Sequence, residues 1–133
     1  MSEPVDYKFT PTHEWVRIEG EEIVVGITEY AQQRLSDIIH VELPEPDEHH
    51  YEANEDFITL ESLKTALDFH APVAGRIVAV NSELLSNPEL INEDPYGEGW
   101  LMRMIPDNMP DIEDLMSYHE YEGGLPEEEE DEE

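Results

Sequence analysis

Short stretches of alternating hydrophobic and polar residues, separated by turn-forming residues, run through most of the chain. A period of two is typical of β-strands that bury one face. Residues 15–20 and 21–28 alternate in this way around a turn at Glu19 to Glu21, which predicts a β-hairpin. Further strands are predicted at residues 37–43, 57–62, 66–72, 76–81 and 100–106, the last with Trp100, Met102 and Met104 on one face.

Helical spacing appears in fewer places. Thr28 predicts the N-cap of a short helix that carries Tyr30, Ala31, Arg34 and Leu35. Asn87 followed by Pro88 predicts the start of another short helix. Asp111 predicts the N-cap of a C-terminal helix that ends at Gly123 and carries an apolar stripe of Ile112, Leu115, Met116 and His119. With the polar segment 47–56 assigned to a loop, the pattern predicts a mostly β domain of barrel or sandwich type with short helices packed on it.

Composition changes this picture mainly through charge. The 133 residues hold 35 Asp and Glu against six Lys and Arg, a formal net charge of −29. Such a surface repels phosphate, so neither nucleic acid nor an anionic membrane is an expected partner, and it favours a monomer. Part of the acid follows Gly123 and Gly124, which predicts a domain over residues 1–122 and an acidic, disordered tail over residues 123–133.

The acidity of the remaining chain has two physical interpretations. Self-repulsion opposes folding in dilute buffer, but the Debye length falls from about 10 Å at 0.1 M salt to about 3 Å at 1 M. A halophilic source is therefore one hypothesis, and an acidic surface for a basic partner is the other.

Targeting signals and cysteines are both missing from the sequence. No apolar run approaches the roughly 18 residues of a membrane span, and the first ten residues lack the pattern of a signal peptide, so a cytoplasmic location is expected. Because the chain has no cysteine, redox chemistry would need a borrowed group. His49 and His50 are adjacent in an acidic segment and are not expected to bind one metal ion.

The position of Lys64 raises a chemical question. It is one of two lysines, with Lys8, and it lies at the break between two predicted strands. A solvated charge is the ordinary role of a lysine on a turn. However, the chain uses arginine for its other basic positions, and a lysine amine, unlike a guanidinium, can become a nucleophile. A protruding lysine is what an enzyme needs to attach an acyl cofactor.

Residues 61–81, ESLKTALDFHAPVAGRIVAVN, resemble the lipoyl-lysine hairpin of the H protein of the glycine cleavage system. The segments THEWVRIEG, VGITEYAQ, VELPEP and NPELINEDPYGEGWLMRM resemble the same family in the same order, so that the likeness covers residues 7–122. The resemblance implies a barrel-sandwich hybrid, the lipoyl-domain-like fold, with lipoate amide-linked to Lys64. It also implies a carrier without catalytic residues of its own.

The resemblance assigns further roles around that lysine. Glu61 and Asp68 match acidic residues of the family and imply recognition by the lipoate-attaching enzyme, with plain solvated carboxylates as the alternative. Gly75 matches a glycine after the hairpin, where freedom at positive φ is useful. Candidates for a cleft that holds the loaded arm are, by position, His13, Glu14 and Arg34.

The implied function is to shuttle an aminomethyl group. The arm would accept it from glycine decarboxylase, pass it to the aminomethyltransferase and be reoxidised by dihydrolipoamide dehydrogenase. Two alternatives stay open. One is an H-protein-like carrier of sulfur intermediates for a heterodisulfide-reductase-like sulfur-oxidation complex, and the other is an unmodified acidic interaction module. Ser36, where the family commonly has glycine, and Leu63, Thr65, Leu67 and His70 beside the lysine depart from the family pattern.

Overall fold

The computed structural model describes residues 7–43 and 50–125. The strands of this part are β1 Lys8–Phe9, β2 Glu14–Glu19, β3 Glu22–Ile27, β4 Ile38–Glu42, β5 His50–Tyr51, β6 Asp56–Ser62, β7 Ala66–His70, β8 Gly75–Val80 and β9 Met102–Pro106. The helices are α1 Glu29–Leu35, α2 Glu83–Ser86, α3 Leu90–Glu93, a 3-10 helix Met109–Asp114 and α4 Tyr118–Gly123. The predicted hairpin of β2 and β3 and the predicted N-cap Thr28 are both confirmed.

The strands form two antiparallel sheets. One has the order β1-β2-β3-β9-β8-β5, and the other has the order β4-β6-β7. Their inner faces share one apolar core, to which the first sheet contributes Ile23 and Met104 and the second contributes Leu60 and Phe69. The two sheets do not close into a barrel, and the helices are short. The predicted fold class, a mostly β hybrid of barrel and sandwich with short helices, is confirmed.

A second, aromatic cluster covers the outer face of the larger sheet. Val24 belongs to it while its neighbour Val25 belongs to the main core, as expected for adjacent strand residues that point to opposite faces. Phe9, Trp15 and Tyr121 complete the buried part, and the rings of Phe9 and Tyr121 stack at 4.9 Å. This cluster holds α4 against the sheet.

The predicted single C-terminal helix was wrong. The chain forms the 3-10 helix, then an extended stretch, and then α4. Met116 interrupts the helix because its backbone pairs with Phe9 through hydrogen bonds of 2.8 and 2.9 Å. Ser117 and Glu120 then form a capping box, which is a stronger start signal than Asp111 alone.

Two other predictions also need correction. Asn87 does not cap a following helix but ends α2, with its N–H donating to the carbonyl of Glu83 at 2.9 Å, and α3 begins at Leu90. Within the predicted loop 47–56, His50 and Tyr51 form β5 by pairing with the start of β8. Pairing between strands that are distant in the sequence leaves no local sequence signal. Pro44 and Pro46, which follow the predicted strand 37–43, lie outside the described residues.

The described residues end at Leu125, shortly after α4. Gly123 is the last residue of that helix, and Leu125 packs against the aromatic cluster. The remaining part of the predicted tail, residues 126–133, lies outside the described residues. No helix in the described part of the chain combines the length and the apolar character that crossing a membrane requires.

Ser36 occupies a backbone conformation that suits glycine. It is the C-cap of α1, with φ 67° and ψ −149°. Its N–H donates to the carbonyl of Gln32 at 3.0 Å, and its own carbonyl accepts from Nδ2 of Asn92 at 2.7 Å. The backbone therefore holds the strained conformation from both sides.

We expect Ser36→Gly to raise the free energy of unfolding by about 1 kcal/mol, because glycine adopts this conformation without a steric penalty. Urea denaturation measures the change. The matched control is Ser82→Gly, where φ is −67°, and there we expect a loss of about 0.5 kcal/mol from backbone entropy. Equal losses in both variants would contradict the assignment of strain to Ser36.

Candidate functional site

Lys64 lies at the tip of the hairpin formed by β6 and β7. The ladder pairs Thr59 with Asp68, Leu60 with Leu67, and Glu61 with Ala66. Residues 62–65 then turn the chain, and the side chain of Lys64 is exposed. The hairpin therefore presents this lysine to solvent.

Ser62 organises the backbone of that tip. Its N–H donates to the carbonyl of Thr65 at 2.7 Å, and its hydroxyl oxygen accepts the N–H groups of Lys64 and Thr65, each at 3.1 Å. Ser62 itself is buried. A serine that accepts backbone N–H groups two and three residues ahead fixes a turn in one conformation. The lysine thus has an exposed side chain on a defined backbone.

Both acidic and apolar side chains flank Lys64 on the hairpin. Glu61 is half-buried and Asp68 is exposed, and the hydroxyl of Thr59 donates to Asp68 at 2.7 Å. Leu63, next to the lysine, is 77% exposed. This leucine is therefore available to contact an enzyme that acts on Lys64.

A cleft of about 420 Å³ opens beside the hairpin. It lies between the β1–β2 connection, α1 and β7, and its lining residues are Pro11, Thr12, His13, Tyr30, Ala31, Arg34, Leu67, Asp68 and Phe69. Leu67 is three residues from Lys64, so the backbone separation of the two is at most about 11 Å. The volume is in the range of ligand pockets, so a chain attached to the lysine could enter the cleft.

His13 and Arg34 both lie on the cleft wall. The Nδ1 atom of His13 is 2.7 Å from the hydroxyl of Tyr121, and the His13 ring is 4.8 Å from the ring of Tyr30. The guanidinium of Arg34 lies 5.7 Å from the centre of the Tyr30 ring. Burial, and then the charge of Arg34, lower the pKa of His13 below its ordinary value, so its imidazole is neutral at pH 7.

Glu14 lies behind the cleft wall and does not line the cleft. Its carboxylate is fully buried and accepts hydrogen bonds from the hydroxyls of Thr10 and Thr12 and, at 2.8 Å, from the N–H of His70. Burial raises the pKa of the Glu14 carboxyl, and these hydrogen bonds oppose the shift. Glu14 thus supports the cleft through Thr12 on one side and β7 on the other.

Gly75 has a different role from the one expected. Its φ is not positive, so the prediction of a positive-φ turn residue was wrong. Gly75 begins β8, and a Cβ atom there would lie 2.5 Å from the carbonyl oxygen of Ile105 in β9. The close approach of two backbones requires glycine at this position.

Sequence reasoning missed several residues of the site. Ser62 had a readable signal, a serine shortly before the lysine of a tight turn. Tyr121 had none, because 108 residues separate it from His13. Thr12 and Tyr30 line the cleft only because the fold brings their segments to β7.

A two-sheet β domain that presents a turn lysine beside a cleft belongs to the class of carrier domains with a covalently attached acyl arm. Comparison with known proteins makes the class specific. The family model of the glycine cleavage H-protein matches residues 7–128. The glycine cleavage system H protein of Acinetobacter baumannii (strain SDF) is 47% identical over 125 residues, covering 94% of this chain and all of the relative.

Two further relatives agree. A glycine cleavage system H protein of Thermus thermophilus is 48% identical over 122 residues, covering 92% of this chain and 94% of the relative. The crystal structure of the Mycobacterium marinum H protein superimposes with a TM-score of 0.82 at 37% identity, covering 92% of this chain and 100% of that one. The chain belongs to the glycine cleavage H-protein family. It is a lipoyl carrier, a non-catalytic subunit, and this family carries lipoate covalently on a lysine.

We expect Gly75→Ala to lower the free energy of unfolding by about 2 kcal/mol, because the added methyl group overlaps the backbone of β9. Thermal and urea unfolding measure the effect. Gly123→Ala is the control, since nothing lies within 4 Å of a Cβ atom there. If Gly75→Ala kept full stability and lost only recognition by the attaching enzyme, the packing role would be refuted.

Proposed function

We propose that Lys64 is the lysine that carries lipoate and that the loaded hairpin shuttles the aminomethyl group of glycine cleavage. The observation that supports this proposal most strongly is the exposed lysine on a turn fixed by Ser62, beside a cleft. Lipoate, when bound, supplies a dithiolane that can be reduced, loaded and reoxidised. The chain itself contributes attachment, orientation and shelter.

The cleft walls suit such an arm. Tyr30, Ala31, Leu67 and Phe69 offer apolar surface for a hydrocarbon chain. Asp68 also belongs to the lining, and its exposed carboxylate accepts the hydroxyl of Thr59. His13 and Arg34 form the opposite wall, and Glu14 holds that wall through Thr12. Shelter from water in this cleft would protect the cargo from premature loss.

The proposed partners are glycine decarboxylase, the aminomethyltransferase and dihydrolipoamide dehydrogenase, with a lipoate-attaching enzyme that recognises Glu61 and Asp68 on the hairpin. The names of the relatives favour this pathway, and none supports the sulfur carrier or the unmodified interaction module. The monomeric state, the cytoplasmic location and the halophilic source remain predictions from charge and sequence.

We expect Lys64→Arg to abolish lipoylation, because arginine cannot form the amide. Intact mass of protein from cells that make lipoate, followed by sequencing of the modified peptide, measures attachment. Lys8→Arg, at the other lysine of the chain, is the matched control and should be lipoylated like the parent protein. Full modification of the Lys64→Arg protein would refute the assignment.

We expect Ser62→Ala to reduce kcat/KM of the attaching enzyme about thirtyfold, because the tip loses the acceptor of two backbone N–H groups, each worth about 1 kcal/mol. Initial rates of lipoylation measure the effect. Ser117→Ala is the control, since it removes a comparable serine cap that belongs to α4 and not to the hairpin. Equal rates for the parent and Ser62→Ala would show that the fixed turn is unimportant for attachment.

A further inference from the structure

The hydroxyl of Tyr121 joins the C-terminal helix to the cleft. The residue is 5% exposed, and its ring stacks on Phe9 in the aromatic cluster. Its oxygen lies 2.7 Å from Nδ1 of His13 and 2.7 Å from Oγ1 of Thr28. One phenol therefore contacts both a cleft residue and the N-cap of α1, two elements that build the cleft wall.

The donor and the acceptor of each hydrogen bond between Thr28, Tyr121 and His13 follow from their other contacts. The hydroxyl oxygen of Thr28 accepts the N–H of Ala31 at 3.2 Å, so its own proton needs an acceptor, and Thr28 is fully buried. The oxygen of Tyr121 is positioned to be that acceptor. Tyr121 then donates its single proton to Nδ1 of His13. Burial raises the pKa of the Tyr121 phenol, which keeps this proton in place.

We propose that Tyr121 is a positioning residue of the arm cleft, which holds His13 against the wall as the neutral tautomer with its proton on Nε2. The inference rests on the proposed function of the cleft. In this tautomer the oxygen of Tyr121 accepts the proton of Thr28, and Nδ1 of His13 accepts the proton of Tyr121. The imidazole can then offer the cleft one N–H donor and no acceptor nitrogen. Such a donor suits an acceptor atom such as the amide carbonyl of the attached arm.

The backbone supports the same conclusion. His13 has φ 77°, an uncommon conformation for a residue with a side chain. Its N–H donates to the carbonyl of Thr10, and its carbonyl accepts the N–H of Thr28, each at 3.1 Å. Strained residues of this kind persist where surrounding contacts determine them and are common at ligand sites. Thr28 thus anchors His13 through its backbone directly and through Tyr121 at the side chain.

The test separates the hydroxyl of Tyr121 from its ring. Tyr121→Phe keeps the stacking on Phe9 and removes only the hydrogen bonds. Tyr118→Phe is the matched control, because Tyr118 is in the same helix and its hydroxyl donates to Glu122 on the surface at 3.0 Å. Thr28→Ser keeps the hydroxyl of the N-cap and should behave like the parent protein.

The tautomer is read from the 15N chemical shifts of the His13 ring at neutral pH. The parent protein, Tyr118→Phe and Thr28→Ser should show an unprotonated Nδ1, whereas Tyr121→Phe should show a mixture of tautomers. In lipoylated protein, reduction of the arm by a small soluble phosphine should be about fivefold faster in Tyr121→Phe than in the parent, as expected for one lost hydrogen bond.

Three results would overturn the proposal. The first is an unchanged His13 tautomer in Tyr121→Phe, and the second is equal acceleration of arm reduction in Tyr121→Phe and Tyr118→Phe, which indicates general loosening of α4. The third is a parent protein in which lipoylation leaves the NMR signals of His13 and Leu67 unchanged. That result also refutes the arm cleft of the proposed function, and it is distinguished from the first two because it appears without any substitution.

Discussion

The buried carboxylate of Glu14 connects the two sheets at the point on which the site depends. Glu14 belongs to β2 of the larger sheet, and the N–H that it accepts at 2.8 Å belongs to His70 at the end of β7 in the smaller sheet. Burying an unpaired carboxylate costs several kcal/mol, so its hydrogen bonds from Thr10, Thr12 and His70 are needed to keep it inside. Because β7 leads back to the turn of Lys64, the position of the lysine relative to the cleft follows from this contact.

Local patterns predicted the elements whose causes are local. The hairpin of β2 and β3 follows from alternation and a glycine turn, and α1 follows from Thr28, whose hydroxyl accepts the N–H of Ala31. The C-terminal helix was misplaced because the N-cap preference of Asp111 was considered without the long-range strand pairing that competes with helix formation. Pairing of Met116 with Phe9 makes that stretch extended, and this pairing spans more than a hundred residues. Sheet order and β5 depend on contacts of the same long range.

The residues of the site also divide into those with a local sequence signal and those that only long-range contacts bring together. Lys64 could be singled out because its hairpin has a compact sequence signature, and Gly75 was selected for the wrong reason, since close packing against β9 was not visible from a local pattern. His13 and Arg34 were placed near an arm by family position, and they do lie on the cleft wall. What converts His13 from a surface histidine into an oriented group is Tyr121, and only the packed aromatic cluster brings that residue to it.

Charge gives the hairpin a further property. Arg17 and Arg103 are engaged with Glu19 at 2.8 Å on the opposite end of the larger sheet, which leaves few cations to offset the acidic surface. Acylation of Lys64, as proposed, would remove one more positive charge, and Glu61 and Asp68 would then flank a neutral arm. Since like charges repel, the loaded hairpin would be repelled by an acidic entrance of a receiving enzyme and attracted by a basic one. Attachment of the arm and recognition by the receiving enzymes would thus be coupled through one charge, because the modification that makes the carrier functional also makes its tip more acidic.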